Sequence, residues 1–132
     1  MELYSPFKLE VMTLKSFAEV KAFIERIMEE NKKEGALPPK SPHKAFWATL
    51  NYEQFTTGNV PGVLHPITKL PVPILVKGDS AKSSLILSLR GCGPLFDPEK
   101  GAFGRMPGNG PPFFTDHQIQ ELADWIDFGC PE

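Results

Sequence analysis

The stretch Gly104-Arg-Met-Pro-Gly-Asn-Gly-Pro-Pro-Phe-Phe-Thr-Asp-His-Gln-Ile-Gln-Glu-Leu-Ala-Asp-Trp-Ile-Asp-Phe-Gly-Cys-Pro-Glu132 carries the reading on which the fold turns. A methionine-proline step sits on a glycine- and proline-rich loop that leads directly into an apolar helical pattern. Thr115-Asp-His-Gln118 has the form of a capping box, in which the threonine and glutamine side chains each take one orphan backbone amide. Ile119, Leu122, Ala123 and Ile126 then recur as the inner stripe of a helix over 116–128. Trp125 flanks that stripe, and Gly129 terminates the helix.

A second capping box, Ser16-Phe-Ala-Glu19, opens a helix over 16–33. Its stripe is Phe17, Val20, Ile24, Ile27 and Met28, with charged residues over the wet end and Gly35 as a stop. The two stripes predict that the first and last helices cross and pack. Pro38, Pro39 and Pro42 interrupt the chain between them, and Ser41 with Pro42 starts a short helix of about 42–50. Asn51-Tyr-Glu-Gln54 caps a further turn or two that ends by Gly58. Residues 58–78 show no helical period. Within them Leu70-Pro-Val-Pro-Ile-Leu-Val76 is extended, an edge strand or a polyproline-like pass, because proline removes donors and restricts its neighbour. Asp79 or Ser80 caps a helix of about 81–90 that turns Leu85, Ile86 and Leu89 inward and stops at Gly91. The expected architecture is all-α, a single domain over 16–132 preceded by an extended arm over 1–15.

Composition narrows the function. The chain has 132 residues, enough for one core, and a net charge of −2 that offers no basic face for nucleic acid. No apolar run approaches the roughly 20 residues that span a bilayer. The first residues do not read as a signal peptide, which makes a cytoplasmic location the expectation. Cys92 and Cys130 read as free thiols in that setting, although a disulfide between them stays open until their separation is known. The 14 prolines and 11 glycines call for long irregular loops, and the 10 phenylalanines call for an explanation of their own.

Two blocks carry a resemblance. Gly78-Asp-Ser-Ala-Lys-Ser-Ser-Leu-Ile-Leu-Ser-Leu-Arg-Gly91 looks like the helix before a methionine loop. Arg105-Met-Pro, Gly110-Pro-Pro-Phe and Trp125-Ile-Asp-Phe-Gly-Cys-Pro131 look like that loop and the helix after it. Together they are similar to bacterial c-type cytochrome domains over about residues 16–130. In that family the loop methionine is an axial haem ligand and the last helix packs across the first. This chain has no Cys-x-x-Cys-His. Pro39-Lys-Ser-Pro-His43 stands in its place, with proline at both cysteine positions and the histidine kept.

The resemblance therefore implies a small cytochrome-c-like helical domain without a haem cofactor, acting as a binding or protein-interaction module for an unidentified protein partner. Its alternative is an electron-transfer domain in which His43 and Met106 ligate a non-covalent haem. A third reading is a binder of a small molecule or metal in a remodelled pocket. A haem-sized void does not stay empty without cost. Phe46, Trp47 and Phe55 follow the degenerate motif, and Phe103 and Phe113, with Phe114, flank the methionine loop. These rings are expected to line and fill the vacated pocket.

Other chemistry is absent from the pattern. His43, His65 and His117 have no metal-ligand spacing with each other or with the cysteines, so no metal site is expected. The glycine-rich stretches lack the lysine of a phosphate loop. Cys92 follows a helix end, where the dipole disfavours a thiolate. No Ser-His-Asp or Cys-His arrangement stands out, and an enzyme is not expected.

Overall fold

The computed structural model describes residues 13–33, 46–93, 95–97, 99, 101, 103, 105–106 and 113–132. Residues 1–12 of the expected arm over 1–15, the start of the second helix at Ser41 and the Pro39–His43 motif lie outside them. The described elements are α1 (Phe17–Lys33), α2 (Phe46–Thr49), α3 (Tyr52–Thr57), β1 (Asn59–Leu64), β2 (Pro71–Pro73), a 3-10 turn (Ser80–Lys82), α4 (Ser84–Arg90) and α5 (Asp116–Asp127).

The fold is mixed rather than all-α, because β1 and β2 pair as a two-stranded antiparallel sheet. Asn59 lies opposite Pro73 and Leu64 opposite Pro71, with an irregular register between them. Val60, Val63 and Val72 are β-branched residues suited to strands. Pro61, Gly62, Pro71 and Pro73 break up that signal and give the segment the look of a loop. Bulged, proline-bearing strands are tolerated here because, among the described residues, each strand pairs on one side only. The turn between them is held by its own backbone. His65 donates its amide to Leu70 O at 2.8 Å, and Lys69, with φ 62°, donates to His65 O at 2.9 Å. The ring Nδ1 of His65 accepts the amides of Ile67 and Thr68 at 3.1 and 3.3 Å. The tip displays Ile67 and Leu70 to solvent, 83% and 63% exposed.

Local hydrogen bonds fix the helix starts. Thr115 and Gln118 form the full capping box of α5, and Asn51 and Gln54 form that of α3. At α1, Ser16 Oγ accepts the Glu19 amide at 3.2 Å, but Glu19 Oε1 takes the amide of Lys15 at 2.7 Å, one residue before the cap. The helix expected over 81–90 divides into two parts. Asp79 caps the 3-10 turn, and Asp127 at the end of α5 clamps that turn by accepting Ser80 N at 2.7 Å and Ser80 Oγ at 2.9 Å. The buried Ser83 hydroxyl accepts the Val76 amide at 2.9 Å and lies 2.9 Å from Asp79 O. Gly91 closes α4 in the left-handed region at φ 68°.

The core gathers the stripe of α1 (Phe17, Val20, Phe23, Ile24, Ile27) and that of α5 (Ile119, Leu122, Ala123, Ile126). Trp125, expected to flank the second stripe, is fully buried. Its ring stacks 6.5 Å from Phe17 and lies 6.4 Å from Phe55, while Nε1 donates to Pro131 O at 3.0 Å. The C-terminal tail covers it. Gly129 at φ 100° donates to Ile126 O, and Cys130 donates to Trp125 O, the paired bonds of a Schellman turn. Tyr52 Oη then donates to Cys130 O, and Phe17 N donates to Glu132 O at 3.2 Å.

Both cysteines are free, Cys92 exposed and Cys130 buried. Burial pushes the Cys130 thiol up from 9.0 to about 12; Lys77 opposes that shift and Asp127 adds to it. The folded protein thus holds a proton that the unfolded chain releases above about pH 9. That stabilisation is complete below pH 9 and is lost as pH rises toward 12. A urea titration series should show stability falling across this range, with a shallower fall for Cys130→Ala. A thiol reagent at neutral pH should label one cysteine in the folded protein and both in denaturant. For the aromatic centre, Phe55→Ala should cost about 3–5 kcal/mol in chemical denaturation, the usual range for a core aromatic.

Candidate functional site

A pocket of about 220 Å³ lies between the hairpin, α1, α2, α4 and the methionine loop. Ile24 and Met28, one helical turn apart, form the α1 wall, and Phe46 and Trp47 of α2 stand next to them. Leu85, Ser88 and Leu89 share one face of α4, with Ser84 at its start. Val60, Gly62, Val63 and Leu64 of β1 and Val72 of β2 supply the sheet wall, backed by Ile74. Phe96, Phe103, Met106 and Phe114 close the remaining side. Leu64 is 55% exposed and marks the mouth, whereas Ile74 at the back is fully buried. None of these side chains is ionisable.

The methionine loop is fastened to α4 by polar contacts outside the pocket. Met106 donates its amide to Ser88 O at 2.8 Å. Arg105 Nε donates to Leu89 O at 3.0 Å, and its terminal nitrogen reaches Phe114 O at 3.5 Å. Its guanidinium also lies 4.5 Å from the Phe113 ring centre. A cation at the end of α4 is favourable because the last carbonyls of a helix carry partial negative charge. Gly91 makes room for this latch, since a β-carbon there would sit 2.9–3.0 Å from the Arg105 side chain. Across the pocket, Trp47 Nε1 donates to Glu25 Oε1 at 2.9 Å and ties α2 to α1. Rings of Phe96 and Phe103, 5.9 Å apart, pair within the loop.

The structure brings Phe46, Trp47, Phe103 and Met106 together in the pocket wall. Phe55 stands behind Phe46, stacked at 5.9 Å, and belongs to the core. Phe113 lies under Arg105 rather than in the wall. His43 is outside the described residues. The hairpin residues of the wall were hidden in the sequence by their prolines and glycine. Phe96 had no helical or strand period to mark it. Among the described residues, no group of three or more His, Cys, Asp or Glu side chains could hold a metal ion. His65 is committed to its turn, and His117 is exposed beside Glu121 at 3.5 Å.

A haem fits this pocket poorly. Its 220 Å³ falls below the roughly 300–1,000 Å³ of pockets that hold drug-sized ligands. The propionates would also meet no cation among the described residues of the wall. Comparisons with protein-family models, with curated proteins and with solved structures find no match to this chain. No helix among the described residues is long and apolar enough to cross a membrane.

The latch generates a prediction. Arg105→Ala removes charge-assisted bonds to two carbonyls and should cost about 1.5–3 kcal/mol in chemical denaturation. The methyl resonance of Met106 should shift in the same variant. Gly91→Ala should lose stability through both its positive φ and the contact with Arg105, leaving the capping of α5 unchanged by amide exchange.

Proposed function

We propose that this protein is a haem-free binding module that seats an apolar guest in the pocket between α1, α4 and the hairpin. The pocket itself carries the reading. Filling a cavity of this volume is worth up to about 5 kcal/mol at roughly 24 cal/mol per Å³, an upper limit because its mouth meets solvent. That is a large share of the ~5–15 kcal/mol stability of a domain. Close-packed interiors leave few voids larger than a water molecule, so a retained space of this size supports a binding role. The described residues of the wall offer mainly apolar contact, which suits the seating of an apolar guest.

The likeness to c-type cytochromes adds support from position, because Met106 borders the pocket on a loop between α4 and α5. The same observation is the one point in favour of the alternative, an electron-transfer domain with His43 and Met106 on a non-covalent haem. Pocket volume and the lack of charge among the described wall residues weigh against it.

Two measurements test the reading. Titration with haemin should give no saturable, stoichiometric Soret band. A band that is lost in both His43→Ala and Met106→Ala would establish electron transfer instead. Xenon under pressure should enter the pocket, as it enters apolar cavities of similar size. The methyl resonances of Met28 and Met106 should then shift, and unmoved methyls would remove the pocket from consideration.

A further inference from the structure

Resting on the binding-module reading, we propose that the guest is an uncharged aromatic molecule of about the size of indole. Three observations define it. The first is volume. An engineered cavity of about 150 Å³ accommodates benzene, so the same space per ring atom gives 220 Å³ room for about nine heavy atoms. That is one fused bicycle or a benzene ring with a small substituent.

The second is the character of the wall. Phe46 and Trp47 face the pocket from one side, Phe96 and Phe103 from another, and Met28 and Met106 also line it. Aromatic rings pair favourably by offset stacking or edge-to-face contact, and thioether sulfur contacts ring edges well. Methionine is also unbranched and adjusts to the outline of a flat guest. A wall of this kind favours a ring over an alkyl chain of equal volume.

The third is charge. Among the described lining side chains there is no Lys, Arg, His, Asp or Glu to receive an ionised group. The indole nitrogen of Trp47 is engaged by Glu25, and the Ser88 hydroxyl lies 2.9 Å from the Leu85 carbonyl that it serves as donor. A carboxylate or ammonium entering the pocket would lose its water and gain no counter-charge, which is strongly unfavourable. Carboxylic acids are therefore rejected in their ionised form, and neutral rings are accepted.

Nitrobenzene and benzoate make the sharpest test, since both have nine heavy atoms and the same outline and differ in charge. Calorimetry on the full chain at neutral pH should show indole and nitrobenzene binding saturably, with benzoate at least tenfold weaker. Anthracene, with its third ring, should not bind. Val60→Phe and Leu85→Phe should each abolish indole binding by filling the space, and thermal melts will show which variants remain folded. Equal affinity for benzoate and nitrobenzene would overturn the uncharged class while leaving the pocket a binding site. Failure of indole and nitrobenzene in a protein whose methionine methyls respond to xenon would overturn the inference alone. Failure of xenon as well would overturn the binding reading with it. Indole binding that survives in both filled variants, if folded, would place the guest elsewhere and overturn the proposal.

Discussion

The burial of one indole ring organises this domain. Trp125 lies on the last helix, yet its environment comes from residues far apart in the chain. Phe17 and Phe55 pack against its ring, and Pro131 takes its N–H. Leaving that N–H unpaired in an apolar setting would be costly. The tail therefore must fold back over the helix, and the Schellman turn at Gly129–Cys130 directs it there. Once in place, the tail carbonyls of Cys130 and Glu132 receive Tyr52 and the first amide of α1. Three consecutive carbonyls thus join α1, α3 and α5 around one ring.

The pocket lies next to this centre, with Phe46 as the boundary. One side of its environment is the stacked Phe55, and it also forms part of the pocket wall. The aromatic residues consequently divide into two groups. Phe17, Phe55 and Trp125 close the core, while Trp47, Phe96 and Phe103 surround a space. Arg105 maintains the division by holding the methionine loop on α4 through backbone carbonyls, so Met106 is positioned at the wall without Arg105 itself lining it.

Much of the helical framework is legible in the chain because caps are local. Thr115 with Gln118 and Asn51 with Gln54 are partners three residues apart, and their side chains complete the bonds that their spacing implies. The sheet is less legible. Val60, Val63 and Val72 favour strands, but the intervening prolines and Gly62 suggest a loop, and pairing at long range decides between them. Trp125 illustrates the same difficulty within a helix. Periodicity places it beside the stripe, whereas the returning tail turns that flank into interior. For the pocket, the sequence points to Phe46, Trp47, Phe103 and Met106 as candidate wall residues, but it assigns Phe55 and Phe113 to the same group. Their separation depends on Arg105 and on the packing behind α2, neither of which has a local signature.

The prolines of the hairpin have an effect beyond the fold. A small sheet with open edges and bare apolar residues at its tip resembles a nucleus for cross-strand association between molecules. Pro61, Pro71 and Pro73 contribute no amide hydrogen, and the irregular register disturbs the even spacing an incoming strand requires. The chain can therefore expose Leu64, Ile67 and Leu70 while withholding the backbone ladder that would turn such exposure into a fibril.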